Sequence, residues 1–124
     1  MGRLGSLFAF QHFDVRPDVV TLVKALANGL PIGAMLIDSR AAGALQPGDH
    51  GSTFGGSPIP CAAALAHLDF RAASDLDAHV RRAGAKLLSG LQSLARAFPE
   101  VLGEPRGIGL MLGVPVRPPF AAKD

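Results

Sequence analysis

Apolar and polar positions divide the chain into segments of two different periods. Val19-Val20-Thr21-Leu22-Val23 and residues 32 to 37 are nearly unbroken apolar runs. Runs of that length and continuity predict strands covered on both faces, typical of the centre of an α/β sheet. Pro17-Asp18 opens the first, and Asn28-Gly29 with Pro31 reverses the chain into the second. From Pro58 to about Ala73 the period is helical, and the alanines at 62, 63, 64 and 66 allow close approach to a neighbour. Pro58 and Pro60 suit an opening turn, where no N–H is needed. A second helix is predicted over 75 to 98. Leu76, Val80, Leu87, Leu91, Leu94 and Phe98 form its apolar stripe, Ser74 its cap and Pro99 its stop. Residues 6 to 13 predict a short helix, and 39 to 44 one or two helical turns. Residues 106 to 114 predict a turn leading into a strand for which the sequence offers no evident partner.

Three places carry chemistry. Lys24 closes the first apolar run with no acidic residue beside it in sequence. Burial there would disfavour the ammonium form and leave an amine able to attack a carbonyl. The plainer alternative is a lysine that snorkels to water. The stretch from Pro47 to Pro58 holds four glycines in twelve residues and includes Ser52-Thr53. Its hydroxyls and N–H groups suit a phosphate, although a glycine-rich turn is an equal description of the bare pattern. Arg106, before Gly107, is either a surface arginine or a bidentate clamp for a carboxylate. His50 is read as a loop histidine, Cys61 as a small buried residue and Met111 as core. His12, His67 and His79 have no metal-ligand spacing.

Composition narrows the class. The chain has 124 residues, 48% apolar and 18% charged, which is enough apolar material for a core. A net charge of +2 with no Trp or Tyr argues against nucleic acid as a partner. No apolar run reaches membrane-spanning length, so no membrane partner is expected. The single cysteine fits a reducing, cytoplasmic location.

Taken in order, four stretches resemble the class III pyridoxal-phosphate aminotransferases, most closely the acetylornithine group. Residues 1 to 9 are similar to that family's text after its acidic cofactor motif. Pro17 to Lys24, followed by Gly29-Leu30-Pro31-Ile32-Gly33-Ala34-Met35, resembles its cofactor-lysine segment. His50-Gly51-Ser52-Thr53-Phe54-Gly55-Gly56 resembles its hydroxyl loop, and residues 106 to 113 its Arg-Gly-x-Gly-Leu-Met strand. The resemblance implies an α/β chain, part of a fold type I pyridoxal-phosphate transferase. Residues 1–74 would be the C-terminal part of the large cofactor domain, and 75–124 the connecting helix and start of the small domain.

It further implies that Lys24 holds pyridoxal 5'-phosphate covalently and moves the proton, while Thr53 binds the cofactor phosphate, in this family usually from the partner subunit of a homodimer. Ser52 would lie against substrate, and Arg106 would grip the carboxylate of an amino-acid donor and of the 2-oxo-acid acceptor. The implied reaction is amino transfer from N-acetylornithine to 2-oxoglutarate, in arginine biosynthesis. An ornithine or 4-aminobutyrate aminotransferase and a truncated non-catalytic chain are the alternatives. Ala25, Ala27-Asn28-Gly29 and Ser57 depart from the family pattern, and Asn28 is expected to keep the left-handed turn. The acidic partner of the ring nitrogen has no counterpart here. The chain is therefore read as a fragment or a late start, inactive in isolation.

Overall fold

The computed structural model describes residues 1–120. These form two compact units, one made of Met1 with Ala9–Ser74, the other of Gly2–Phe8 with the chain from Asp75 onward.

In the first unit, β1 (Val19–Leu22) and β2 (Ala34–Ile37) pair antiparallel, with Val19 opposite Ile37 and Thr21 opposite Met35. The sequence predicts the reversal between them correctly, but not their environment. Val19, Val23, Met35 and Leu36 are all exposed. A ribbon of two strands has two open edges, and the long helix of this unit packs chiefly on the turn between them, with only Leu22 and Ala34 of the strands beside that core. The expectation of strands buried on both faces therefore fails.

Charge closes the open end of the ribbon. The Asp38 N–H donates to the Asp18 carbonyl at 2.8 Å. The Asp38 carboxylate accepts from the Arg40 N–H (3.0 Å) and Nε (2.9 Å) on Oδ1, and from Arg16 Nη2 (2.9 Å) on Oδ2. Arg40 also pairs with Asp18 at 3.0 Å.

Helix α1 (Pro58–Ala73) begins where the prolines predict, and the Cys61 N–H makes an early helical bond to the Ser57 carbonyl at 3.2 Å. Its alanines let it lie close on the single helical turn Lys24–Ala27, so that Ala64 packs with Leu26 and Ala27. Ala63, Leu22, Ile32 and Ala34 flank this small core. Cys61 is half-buried. The helix predicted over 6 to 13 shrinks to one 3-10 turn, Ala9–His12, and the segment at 39 to 44 to another, Ala42–Ala44. Stretches this short do not offset the cost of helix nucleation.

The second unit is built on α2 (Leu76–Ala97), with Val80 and Gly84 buried. Ser74 is not its cap. Ser74 ends α1 in extended backbone, its hydroxyl 3.5 Å from the Arg71 carbonyl, and Asp75 takes the cap position with its carboxylate on Arg82 at 3.3 Å. The apolar stripe is only partly used, since Leu87, Leu94 and Phe98 remain exposed.

β3 (Arg106–Ile108) and β4 (Met111–Gly113) form an antiparallel hairpin, with Gly107 and Gly109 at positive φ. The strand thus has a partner after all, supplied by the residues just before it. Leu102 and Val116 extend the pairing by one bridge, and the Gly103 N–H reaches the Pro115 carbonyl at 2.8 Å. Met111 is exposed rather than core. The N-terminal strip joins this unit through the Leu110 N–H and the Arg3 carbonyl, 2.9 Å apart. The end of the tail, residues 121–124, lies outside the described residues. Among the described residues no helix is long and apolar enough to cross a membrane.

Candidate active site

Lys24 follows Val23, whose backbone is fully extended, and opens the turn that α1 packs against. Its φ is +56°, the left-handed region that a side chain with a β-carbon rarely occupies. Such backbone costs about 1–2 kcal/mol for an ordinary residue. It persists only where surrounding structure imposes it. Here Leu26 and Ala27, 6% and 2% exposed, anchor the turn from below. Asn28 closes the turn at φ +49° and ψ +40°, so asparagine does take the left-handed position expected of it.

Lys24 itself is exposed, contrary to the burial predicted from its place at the end of an apolar run. The physical reason is the open ribbon, which leaves Val23 59% exposed as well. Its side chain makes no ion pair among the described residues.

The glycine-rich segment forms a turn over 53 to 56, tied by the Ser57 N–H on the Phe54 carbonyl at 3.2 Å. Gly55 packs on Ser52, and a β-carbon on Gly55 would lie 3.2 Å from that of Ser52. Gly51 and Gly56 face open space, so their backbone is accessible to a ligand. Between this segment and the β1–β2 hairpin lies a cleft of about 640 Å³. Thr21, His50, Ser52 and Ser57 supply its polar wall, and Leu22, Ile32, Met35 and Phe54 much of its apolar wall. Ser57 is free to do so because its hydroxyl makes no capping bond to α1.

The predicted residues are distributed unevenly. Ser52 lines the cleft; Lys24 and Thr53 are exposed residues of the same unit and do not. Arg106 belongs to the second unit, where it is exposed at the head of β3, opposite Gly113. His50, read from the sequence as a loop histidine, lines the cleft, and so does Thr21, read only as part of a strand. Strand alternation could have flagged Thr21 as the polar member of an apolar run. Nothing in the sequence places His50 on the same cleft as Thr21.

A lysine exposed, without an ion pair among the described residues and on constrained backbone, and an open hydroxyl loop are a donor set for a carbonyl compound bearing an anionic group. The sequence profile of the aminotransferase class-III family matches residues 1–123. The chain belongs to the class III aminotransferases. Over 114 residues it is 50% identical to acetylornithine aminotransferase 1 of Bordetella parapertussis, covering 92% of this chain and 29% of that protein. Among solved structures, an (S)-enantioselective omega-transaminase from Thermomicrobium roseum is 39% identical with a TM-score of 0.83, over 96% of this chain and 27% of the other. Taurine:2-oxoglutarate aminotransferase from Bifidobacterium kashiwanohense, solved with PLP and glutamate, is 30% identical with a TM-score of 0.86, over 93% and 26%. Class III aminotransferases are pyridoxal-phosphate enzymes acting on amino and keto acids. The chain spans under a third of the length of these relatives.

Proposed function

We propose that this chain carries the cofactor-lysine segment of a fold type I transaminase that moves an amino group from N-acetylornithine to 2-oxoglutarate. The identity to acetylornithine aminotransferase 1 over 92% of the chain supports that choice of donor over ornithine or 4-aminobutyrate. The carrying observation is Lys24, an amine with no ion pair among the described residues and held on left-handed backbone just after β1.

The residues present fit pyridoxal phosphate by their chemistry. Lys24 offers a primary amine to an aldehyde. Thr53, with the open backbone at Gly51 and Gly56, offers donors to the phosphate of the cofactor held by the partner subunit. Bound at Lys24, the cofactor supplies the electron sink that makes the proton on the amino-bearing carbon acidic. Lys24 Nζ would accept that proton from the amino-bearing carbon and donate it to the carbon on the far side of the transferred nitrogen. Ser52 orients the substrate from the cleft wall. Arg106 holds the α-carboxylate in both half-reactions, because donor and acceptor present the same group to its planar fork.

Residues 1–74 then belong to the large domain and those from 75 on to the connecting helix and small domain. The assembled protein is a cytoplasmic homodimer in which Thr53 serves the partner's cofactor, acting in arginine biosynthesis.

A second reading has its own observation. Lys24 is exposed to solvent and does not line the cleft. The 124-residue chain alone therefore captures the cofactor without turning over. Absorbance titration with pyridoxal phosphate, with Lys24→Ala as control, and glutamate formation from N-acetylornithine and 2-oxoglutarate separate the two. A Lys24-dependent band without glutamate supports the second reading, a band with glutamate the first. A band that survives Lys24→Ala contradicts both.

A further inference from the structure

Fourteen residues line the cleft between the β1–β2 hairpin and the glycine-rich loop, and His50 is the only ionisable side chain among Asp, Glu, His, Lys and Arg types there. No hydrogen bond or ion pair among the described residues engages its imidazole. The neighbouring carboxylate, Asp49, is turned away into its own turn, its Oδ2 accepting from the Gln46 N–H at 2.7 Å. The lining contributed by β1, β2 and the start of α1 is apolar or hydroxyl-bearing: Thr21, Leu22, Met35 and Pro60. Ser52 and Ser57 add two hydroxyls on the loop side.

We propose that His50 makes this cleft a receptor for the carboxylate end of a short organic acid, with Ser52 and Ser57 as accompanying donors and the Leu22–Ile32–Met35 wall taking the aliphatic body. The inference goes beyond the transaminase reading: of the residues named there only Ser52 lines this cleft, and Lys24 and Thr53 do not. A cleft whose lining holds one imidazole and no fixed charge is neutral when the ring is neutral and singly positive when it is protonated. An anion gains a charge-assisted hydrogen bond only in the second state. A neutral ligand gains nothing from protonation. The cleft volume, about 640 Å³, is ample for a five-carbon acid.

The test is equilibrium binding of 2-oxoglutarate to the 124-residue chain across about pH 5.5 to 8, the range in which histidine titrates. Binding to the native chain is expected to weaken roughly tenfold over that range, the size of one charge-assisted hydrogen bond. His50→Gln, which donates but cannot become cationic, is expected to bind with a flat pH profile at the weaker level. The dimethyl ester of 2-oxoglutarate is expected to show no pH dependence on the native chain. His50 is exposed, so both proteins should share one far-ultraviolet circular dichroism spectrum.

His50→Gln with the native affinity and slope overturns the proposal, as does an absence of 2-oxoglutarate binding to the native chain. Binding of inorganic phosphate in place of 2-oxoglutarate overturns the carboxylate assignment. The Lys24-dependent cofactor band, read in the same samples, separates the two ideas. A band with His50-independent binding removes this inference alone. His50-dependent binding without a band removes the transaminase reading and leaves the cleft.

Discussion

Gly84 and Gly109 meet backbone to backbone: a β-carbon on Gly84 would overlap the carbonyl of Gly109. This contact seats the β3–β4 hairpin on α2. Glycine inside a helix ordinarily costs about 1 kcal/mol against alanine, so its presence at a buried helical position has to be repaid by something. The close approach does so. Gly84→Ala is expected to destabilise the chain by about 1–3 kcal/mol, as overpacking does. Gly90, in the same helix, has nothing within 4 Å of its β-carbon position. Gly90→Ala is expected to stabilise by about 0.5–1 kcal/mol. Thermal melts followed by circular dichroism at the helical band check both, and equal effects of the two substitutions would contradict the packing argument.

The turn after Lys24 makes a second prediction. Asn28 sits at φ +49°, where glycine is at ease, asparagine is tolerated and alanine is strained. Asn28→Gly is expected to be near neutral, and Asn28→Ala to cost about 1 kcal/mol. Denaturant midpoints of the two variants provide the comparison.

Acid should loosen the ribbon. The Asp38 carboxyl is held well below the usual carboxylate range, first by the Arg40 backbone N–H, then by the Arg40 and Arg16 side chains. The Arg40 guanidinium is raised in turn, chiefly by its hydrogen bond to Asp38. A carboxyl with a depressed folded-state pKa stabilises fully above its unfolded value, here the ordinary 3.8, and the contribution is lost as pH falls from there through the folded value. Stability of the native chain is therefore expected to fall below about pH 4, and Asp38→Asn should lack that part of the slope while being less stable at neutral pH. Stability measured against pH for both proteins reads it, and parallel curves would exclude Asp38 as the source.

How far the sequence revealed this molecule depends on whether the deciding physics was local. Helix α1 was legible because Pro58, Pro60 and the run of alanines act within one segment, and its bounds match. The left-handed Asn28 was legible for the same reason. Burial was not. Val19 and Leu36 are apolar enough for a sheet interior, yet whether a strand is covered depends on what packs over it, and the ribbon of β1 and β2 has no such layer. The error at Lys24 follows directly, since its burial was inferred from its neighbours' hydropathy. Its left-handed backbone is set by the packing of Leu26 and Ala27 beneath it, which no spacing announces. His50 is legible from sequence only as a loop histidine, because the cleft it lines is completed by residues distant in the chain, at Thr21 and Leu22.

The account turns on which amine takes the cofactor. The chain has three lysines, Lys24, Lys86 and Lys123. Borohydride reduction of the chain equilibrated with pyridoxal phosphate, followed by peptide mapping, locates any pyridoxyl group. The account predicts a single modified peptide, the one containing Lys24, under substoichiometric cofactor. Label divided among the three lysines, or found on Lys86 or Lys123 with Lys24 intact, would contradict it.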